Sequence, residues 1–430
     1  MTPARIGPRP LPLHMAMEGW IVQAAMAGLM PTPDWTPSSG GSPPLNPASR
    51  LWPNPNRLDP ALQVAAAALG KSPDDFAGPW SAALNPAQFL DAVVGAGQRR
   101  LEDFVRGVRA YQNHPFRRDL APPLAVWRRG AATLLDYGGT GPAALFVPSL
   151  INRAYILDLA ADRSLMRNAA REVHAFLLDW GEPTDAEKSF TSTDYVEGVL
   201  IPALEEIKSV TGEAPRLVGY CMGGTLAAAP AVLRPDLVSG LALLAAPWDF
   251  SVDTEASRVM LRFVRPAIEV MLGAEGVASV DLLQAMFASL DPTLVGRKFR
   301  RFANLDPASD EAARFVALED WLNDGVPLAG PVARECLFEW YGENTPWRRA
   351  WKIAGEAVDP AKIACPTLAF LPRSDRIVPP ASARALADAI PGAEKREVDP
   401  GHIGMVAAAR APKLVHGPLA RWLKNPANIS

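Results

Sequence analysis

The 430 residues contain only three cysteines, Cys221, Cys336 and Cys365. They are far apart and odd in number, which excludes a disulfide framework or a zinc knuckle and suits a reducing cytoplasm. No run of 18 apolar residues occurs, so no spanning helix is expected. The nearest approach, Met15 to Met30, is broken by Glu18 and Gln23 and lacks a small-residue cleavage site. It reads as a surface helix with one apolar face rather than a signal peptide. A formal net charge of −3 excludes a nucleic-acid binder built on global charge. No cluster of metal-ligating residues stands out, and no metal site is expected.

Proline is abundant, at 43 residues. Nine of them fall in 31–60 around Ser-Ser-Gly-Gly, a stretch that can be neither helix nor central strand and reads as an arm or linker. Asp59-Pro60 then opens a helix that stops near Gly70. Asn85-Pro86 opens a longer one, with Phe89, Val93, Leu101, Phe104, Val108 and Tyr111 along one face. Residues 1–60 are therefore assigned to a helix and arm, 61–120 to an N-terminal helical region, and 121–430 to a catalytic domain.

Within 121–430, short apolar runs alternate with amphipathic helices. The runs are Thr133–Leu135, Ala143–Val147, Val173–Leu178, Arg216–Tyr220, Leu241–Ala245, Thr367–Leu371 and Lys395–Val398. This is the pattern of an α/β fold whose mostly parallel sheet is covered on both faces. From about 249 to 354 the chain turns largely helical, and this interval reads as a cap inserted over the strand ends.

The most informative stretch is Arg216-Leu-Val-Gly219-Tyr-Cys221-Met222-Gly223-Gly-Thr. A strand runs into a turn and then into a helix of small residues. That is a nucleophile elbow with cysteine where serine is more usual, and Gly219 and Gly223 supply the room it requires. The helix N-terminus favours a thiolate at Cys221. Cys336 and Cys365 read as structural. In such an elbow the acid and then the base follow later in the chain. Of five histidines, His402 lies in the loop Asp399-Pro-Gly-His-Ile-Gly after a strand and is the expected base. His14 and His114 precede the elbow, His174 reads as a satisfied core residue, and His416 as a solvated helix residue. Asp375, in the loop after Thr367–Leu371, is the expected acid, with Asp399 as its alternative. One oxyanion donor should be the backbone N–H of Met222, and the second should come from the loop 148–153, at Leu150 or Ile151.

Several segments together resemble the polyhydroxyalkanoate synthase family. They are Val147-Pro-Ser-Leu-Ile-Asn-Arg-Ala-Tyr-Ile-Leu-Asp158, Phe176-Leu-Leu-Asp-Trp180, the elbow, Trp321-Leu-Asn-Asp-Gly-Val-Pro, Asp375-Arg-Ile-Val-Pro-Pro and Gly401-His-Ile-Gly. The resemblance implies an α/β-hydrolase fold with a cap and an N-terminal extension. It also implies a Cys221-Asp375-His402 triad that polymerises 3-hydroxyacyl-CoA into polyester with release of CoA. The CoA thioester is then a substrate, and no cofactor is called for. It further implies a polyester granule surface as partner, a homodimer or a second synthase subunit, and a cytoplasmic, granule-associated location. Arg376 departs from the family, many of whose members carry histidine after the acid. The dense basic run Arg297-Lys298-Phe-Arg300-Arg301 is a candidate contact for the phosphates of CoA, or else a solvated or salt-bridged face. Two other readings share the motif: a cysteine hydrolase of esters or lactones, and a non-catalytic granule-binding relative.

Overall fold

The computed structural model describes residues 5–27, 86–252 and 255–426. The proline-rich stretch 31–60 and the expected helix from Asp59 to Gly70 lie outside the described residues, as do the side chains of Phe89 and Val93. The chain divides into two compact units. Among the described residues, one holds those up to 116 together with 284–319, and the other holds those from 117 to 283 and from 320 onward.

The larger unit is built on an eight-stranded sheet. Its strands are β1 (Leu124–Arg129), β2 (Ala132–Asp136), β3 (Ala143–Val147), β4 (His174–Asp179), β5 (Arg216–Tyr220), β6 (Gly240–Leu244), β7 (Thr367–Pro372) and β8 (Glu394–Val398). Their spatial order is β1-β2-β4-β3-β5-β6-β7-β8. The first two neighbouring pairs are antiparallel, and all pairs from β4 to β8 are parallel. Every residue of β3 and β6 is buried. Such strands, covered on both faces, need continuous apolar sequence, which is why they were recognisable as unbroken runs. The alternation in the β8 sequence reflects its edge position, with Lys395 and Glu397 reaching Asp388 and Arg373. Leu124–Arg129, not anticipated from the sequence, forms the opposite edge and is largely exposed.

The smaller unit explains the N-terminal segment. It contains α1 (Leu11–Ala27) and α2 (Pro86–Gln112). In the larger unit, α3 (Ile201–Thr211) precedes β5, α4 (Met222–Leu233) follows it, and α5 (Glu255–Glu275) comes after β6. Helix α6 (Val280–Leu290) runs into the smaller unit, α7 (Leu294–Phe302) lies within it, and α8 (Asp310–Asn323) leaves it. The expected cap of 249–354 is therefore not one body, because 284–319 share a core with the N-terminal helices. Phe104, Val108 and Tyr111 of α2 pack with Phe299 and Phe302 of α7 and Val316 of α8. Gly107 permits this approach, since a Cβ there would stand 2.0 Å from the Phe299 carbonyl oxygen.

Helix α1 buries a polar face. His14, Glu18 and Ile21, spaced by four and three, turn inward, while Trp20 is exposed. Glu18 accepts from Arg100 Nε at 2.8 Å and Arg300 Nη1 at 2.9 Å. The sequence suggested a surface helix with one apolar face. Instead Ile21 packs inside the unit, because Glu18 must follow its arginines out of water. His416, expected on a solvated helix, is also fully buried, with Nε2 donating to the Val406 carbonyl at 3.0 Å. Burial pushes its imidazole down to about 4 and keeps it neutral.

Removing one member of a buried ion pair leaves its partners uncompensated, at a cost of about 3–5 kcal/mol. Glu18→Ala is therefore expected to destabilise the chain by about 3 kcal/mol, seen as an earlier first transition in urea unfolding. An unchanged midpoint would show that α1 does not hold this unit together.

Candidate active site

Cys221 occupies the turn between β5 and α4 with φ 56° and ψ −131°. A cysteine in such backbone is strained and is retained only where its surroundings determine the turn. They do so here by close approach. A Cβ on Gly219 would lie 2.3 Å from Gly224 Cα, and one on Gly223 would lie 2.2 Å from the Val147 carbonyl oxygen and 2.4 Å from that of Pro148. Both expected glycines are thus required by contact. A third, Gly224, was not singled out, although the doubled glycine was the signal. A Cβ there would meet Ala246 Cβ at 2.4 Å. The Cys221 N–H donates to the Leu244 carbonyl at 2.9 Å, which ties the turn to β6.

The structure brings the other expected residues to the same end of the sheet. Asp375 follows β7 and His402 follows β8. This is where an open parallel sheet leaves its crevice, outside the carboxyl ends of the strands. Asp375 is buried, and its two oxygens divide their work. Oδ1 accepts from the N–H groups of Ile377 (2.8 Å) and Val378 (2.9 Å). Oδ2 accepts from His402 Nδ1 at 2.7 Å. The proton on Nδ1 leaves Nε2 as the open nitrogen of the imidazole, and Cys221 is near enough to influence its pKa. Asp399, the alternative acid, is exposed and pairs with Arg373 and Arg410 instead.

Electrostatics favour a charged imidazole. Burial acts to lower the His402 pKa, but negative charge on Cys221 and hydrogen bonds to Asp375 and Cys221 outweigh it and raise it to about 10. The other cysteines lack such neighbours. Burial pushes the Cys336 thiol well above its ordinary value and raises that of Cys365. Tyr220, read only as the end of a strand, also belongs to the site. Its hydroxyl donates to the His402 carbonyl at 3.3 Å, and its ring centre lies 5.2 Å from that of the imidazole.

The Met222 N–H opens α4 directly after Cys221. The loop after β3 reaches the elbow through the approach of Gly223 to Pro148. In it, the Ile151 N–H donates to Ser149 Oγ at 3.1 Å, and Asn152 adopts the left-handed region at φ 69°. The basic run is engaged within the smaller unit. Arg297 pairs with Asp291, Lys298 with Glu319, Arg300 with Glu18 and Arg301 with Glu311. A CoA phosphate would compete there with four internal carboxylates.

The raised His402 pKa carries a prediction. The imidazolium binds its proton more tightly in the folded chain than in the unfolded one. Its stabilising contribution is complete below about pH 6.5 and is lost as pH rises through about 10. Cys221→Ala removes the leading cause that holds this value up. The ring should then titrate at least one unit lower by NMR, about a tenfold weaker hold on the proton. An unchanged titration would mean that Asp375 alone sustains it.

A family model described as the alpha/beta hydrolase fold matches residues 145–408. Among individual relatives, the poly(3-hydroxyalkanoate) polymerase subunit PhaC of Allochromatium vinosum is 29% identical, covering 65% of this chain and 79% of its own length. The PhaC subunit of Thiocystis violacea is 28% identical over 71% of this chain and 88% of its own. That of Synechocystis sp. is 30% identical over 65% and 76%. The chain belongs to the α/β-hydrolase fold family and, within it, to the family of poly(3-hydroxyalkanoate) polymerase PhaC subunits.

Proposed function

We propose that this chain is a polyhydroxyalkanoate synthase that carries the growing polyester on Cys221. The observation that supports this most directly is the Asp375–His402 hydrogen bond at the same sheet end as Cys221, which sits in a glycine-walled elbow and raises the pKa of that imidazole. Family membership supplies the substrate class, a 3-hydroxyacyl-CoA. The CoA thioester is consumed as substrate and free CoA is released, and no cofactor is invoked.

In this reading the Cys221 sulfur attacks the thioester carbonyl of the substrate. The negative oxygen of the tetrahedral intermediate is met by the backbone N–H of Met222 and by a backbone N–H of the loop after β3. Collapse breaks the bond to the CoA sulfur, which takes its proton from His402. One thioester has replaced another, so the step is close to balanced. The 3-hydroxyl of a second substrate then attacks the acyl-cysteine, and His402 takes the hydroxyl proton. An ester forms, the bond to Cys221 Sγ breaks, and the lengthened chain, now a CoA thioester, returns to Cys221 with release of CoA. A serine nucleophile would already hold the acyl group as an oxygen ester and would lose the downhill step. Asp375 orients the imidazole and stabilises its charged form without taking the proton. Excluding water matters, because hydrolysis would end the chain. The reading places the enzyme in the cytoplasm at the surface of its own polyester, as a homodimer or with a second subunit.

The test is product analysis with 3-hydroxybutyryl-CoA. The wild-type chain should release CoA and yield insoluble polymer with little free acid. Cys221→Ala should release no CoA. A saturated acyl-CoA analogue should label Cys221 and neither Cys336 nor Cys365. His402→Gln should slow both acylation and elongation, whereas Asp375→Asn should spare acylation and accumulate acyl-enzyme, since an alcohol is harder to deprotonate than a thiol. Stoichiometric free 3-hydroxy acid with no polymer would identify a hydrolase instead.

A further inference from the structure

The loop after β3 is held at both ends by indoles. On the upstream side, Trp180 Nε1 donates to the Pro148 carbonyl at 3.0 Å. On the downstream side, Trp321 Nε1 donates to the Arg153 carbonyl at 2.8 Å. Both tryptophans are buried. One follows β4 and the other stands near the end of α8, so unconnected parts of the larger unit meet on six residues of loop. Between the two anchors lie Ser149, Leu150, Ile151 and Asn152, which include the second oxyanion donor in the proposed mechanism.

Further contacts reinforce the downstream anchor. Arg153 Nε reaches Asp324 Oδ1 at 3.4 Å. The Tyr155 hydroxyl is raised above its ordinary pKa by burial and then by Asp324, to which it hydrogen-bonds. Gly325 comes close to Asn152, since a Cβ there would stand 3.2 Å from Asn152 Oδ1. Asn152 is itself in left-handed backbone at φ 69°.

We propose that Trp180 and Trp321 are positioning residues for acylation, clamping this loop so that its N–H faces the thioester oxygen. This rests on the acyl-Cys221 reading. Neither indole needs to touch the substrate. Each acts by holding a backbone carbonyl whose displacement would swing the peptide units between them. Oxyanion donors are worth about 100–1000-fold when lost outright. A loosened clamp should forfeit part of that.

The test separates two reactions of one sulfur. Acylation by 3-hydroxybutyryl-CoA, followed as the first burst of CoA, builds an oxyanion and needs the donor. Alkylation by iodoacetamide is a displacement at carbon, builds no oxyanion and needs only a reactive Cys221. In the full chain, Trp180→Phe and Trp321→Phe should each slow acylation by about tenfold, through kcat with KM changed less than about twofold. Alkylation of Cys221 should stay within about twofold of wild type. Tyr155→Phe removes only a hydroxyl and should show the same split at about threefold, which keeps the test open if a tryptophan variant folds poorly. Wild-type acylation rates in all three variants would overturn the clamp, and so would a parallel fall in alkylation, which would place the damage at the nucleophile. A wild-type chain that gives no CoA burst while still being alkylated at Cys221 would refute the acyl-cysteine reading itself, and the clamp with it.

Discussion

A non-glycine residue held at φ 56° between a buried strand and a buried helix is the constraint on which the site depends. The turn aims one side chain out of the sheet end and puts the first N–H groups of α4 beside it. It is affordable only because three glycines let β5, α4, the loop after β3 and the segment after β6 approach to distances no Cβ tolerates. The strain is local, while its support comes from three strands. A substitution at Gly223 would therefore be felt first as displacement of the Val147–Pro148 backbone, a segment distant in sequence.

The same economy places Asp375 and His402. β7 and β8 lie side by side in parallel register with β6, so their following loops open on the same edge as the elbow. Asp375 spends one oxygen on two backbone amides and keeps the other for the imidazole, which fixes its rotamer without a further charged partner. Tyr220 closes the arrangement by holding the backbone of His402 from the strand that leads into Cys221.

How far the sequence reveals all this follows from burial. β3, β5, β6 and β7 are covered on both faces, so they appear as unbroken apolar runs, and the elbow glycines mark a turn that tolerates nothing else. Leu124–Arg129 escaped because an exposed edge strand carries no such signal. The grouping of 284–319 with the N-terminal helices escaped for another reason. The stripe of Phe104, Val108 and Tyr111 was visible, but nothing in one helix names the helix that covers it. Glu18 shows the same limit more sharply. A glutamate in an apolar segment reads as solvent-facing until Arg100 and Arg300, far away in sequence, are seen to meet it. His416 is the converse case, a titratable residue among basic neighbours that is buried and neutral. The two indole anchors were present in the motif segments as Trp180 and Trp321, but only geometry links them to a single loop.

The balance at His402 also bears on how one residue can serve two steps of the proposed cycle. In the resting site three influences compete: burial lowers its pKa, while the sulfur charge and Asp375 raise it. Acylation removes the sulfur charge, because a thioester carries none. Burial then opposes Asp375 without that help, and the imidazolium becomes a stronger acid just when the departing CoA sulfur needs a proton. Once it has given that proton up, the ring is neutral, still oriented through Nδ1, and ready to take one from an incoming hydroxyl. In the proposed cycle the reaction would thus retune its own base by changing the charge next to it. This requires the nucleophile to cycle between a charged and an uncharged form beside the imidazole, a role to which a thiol, ionising far more readily than an alcohol, is suited.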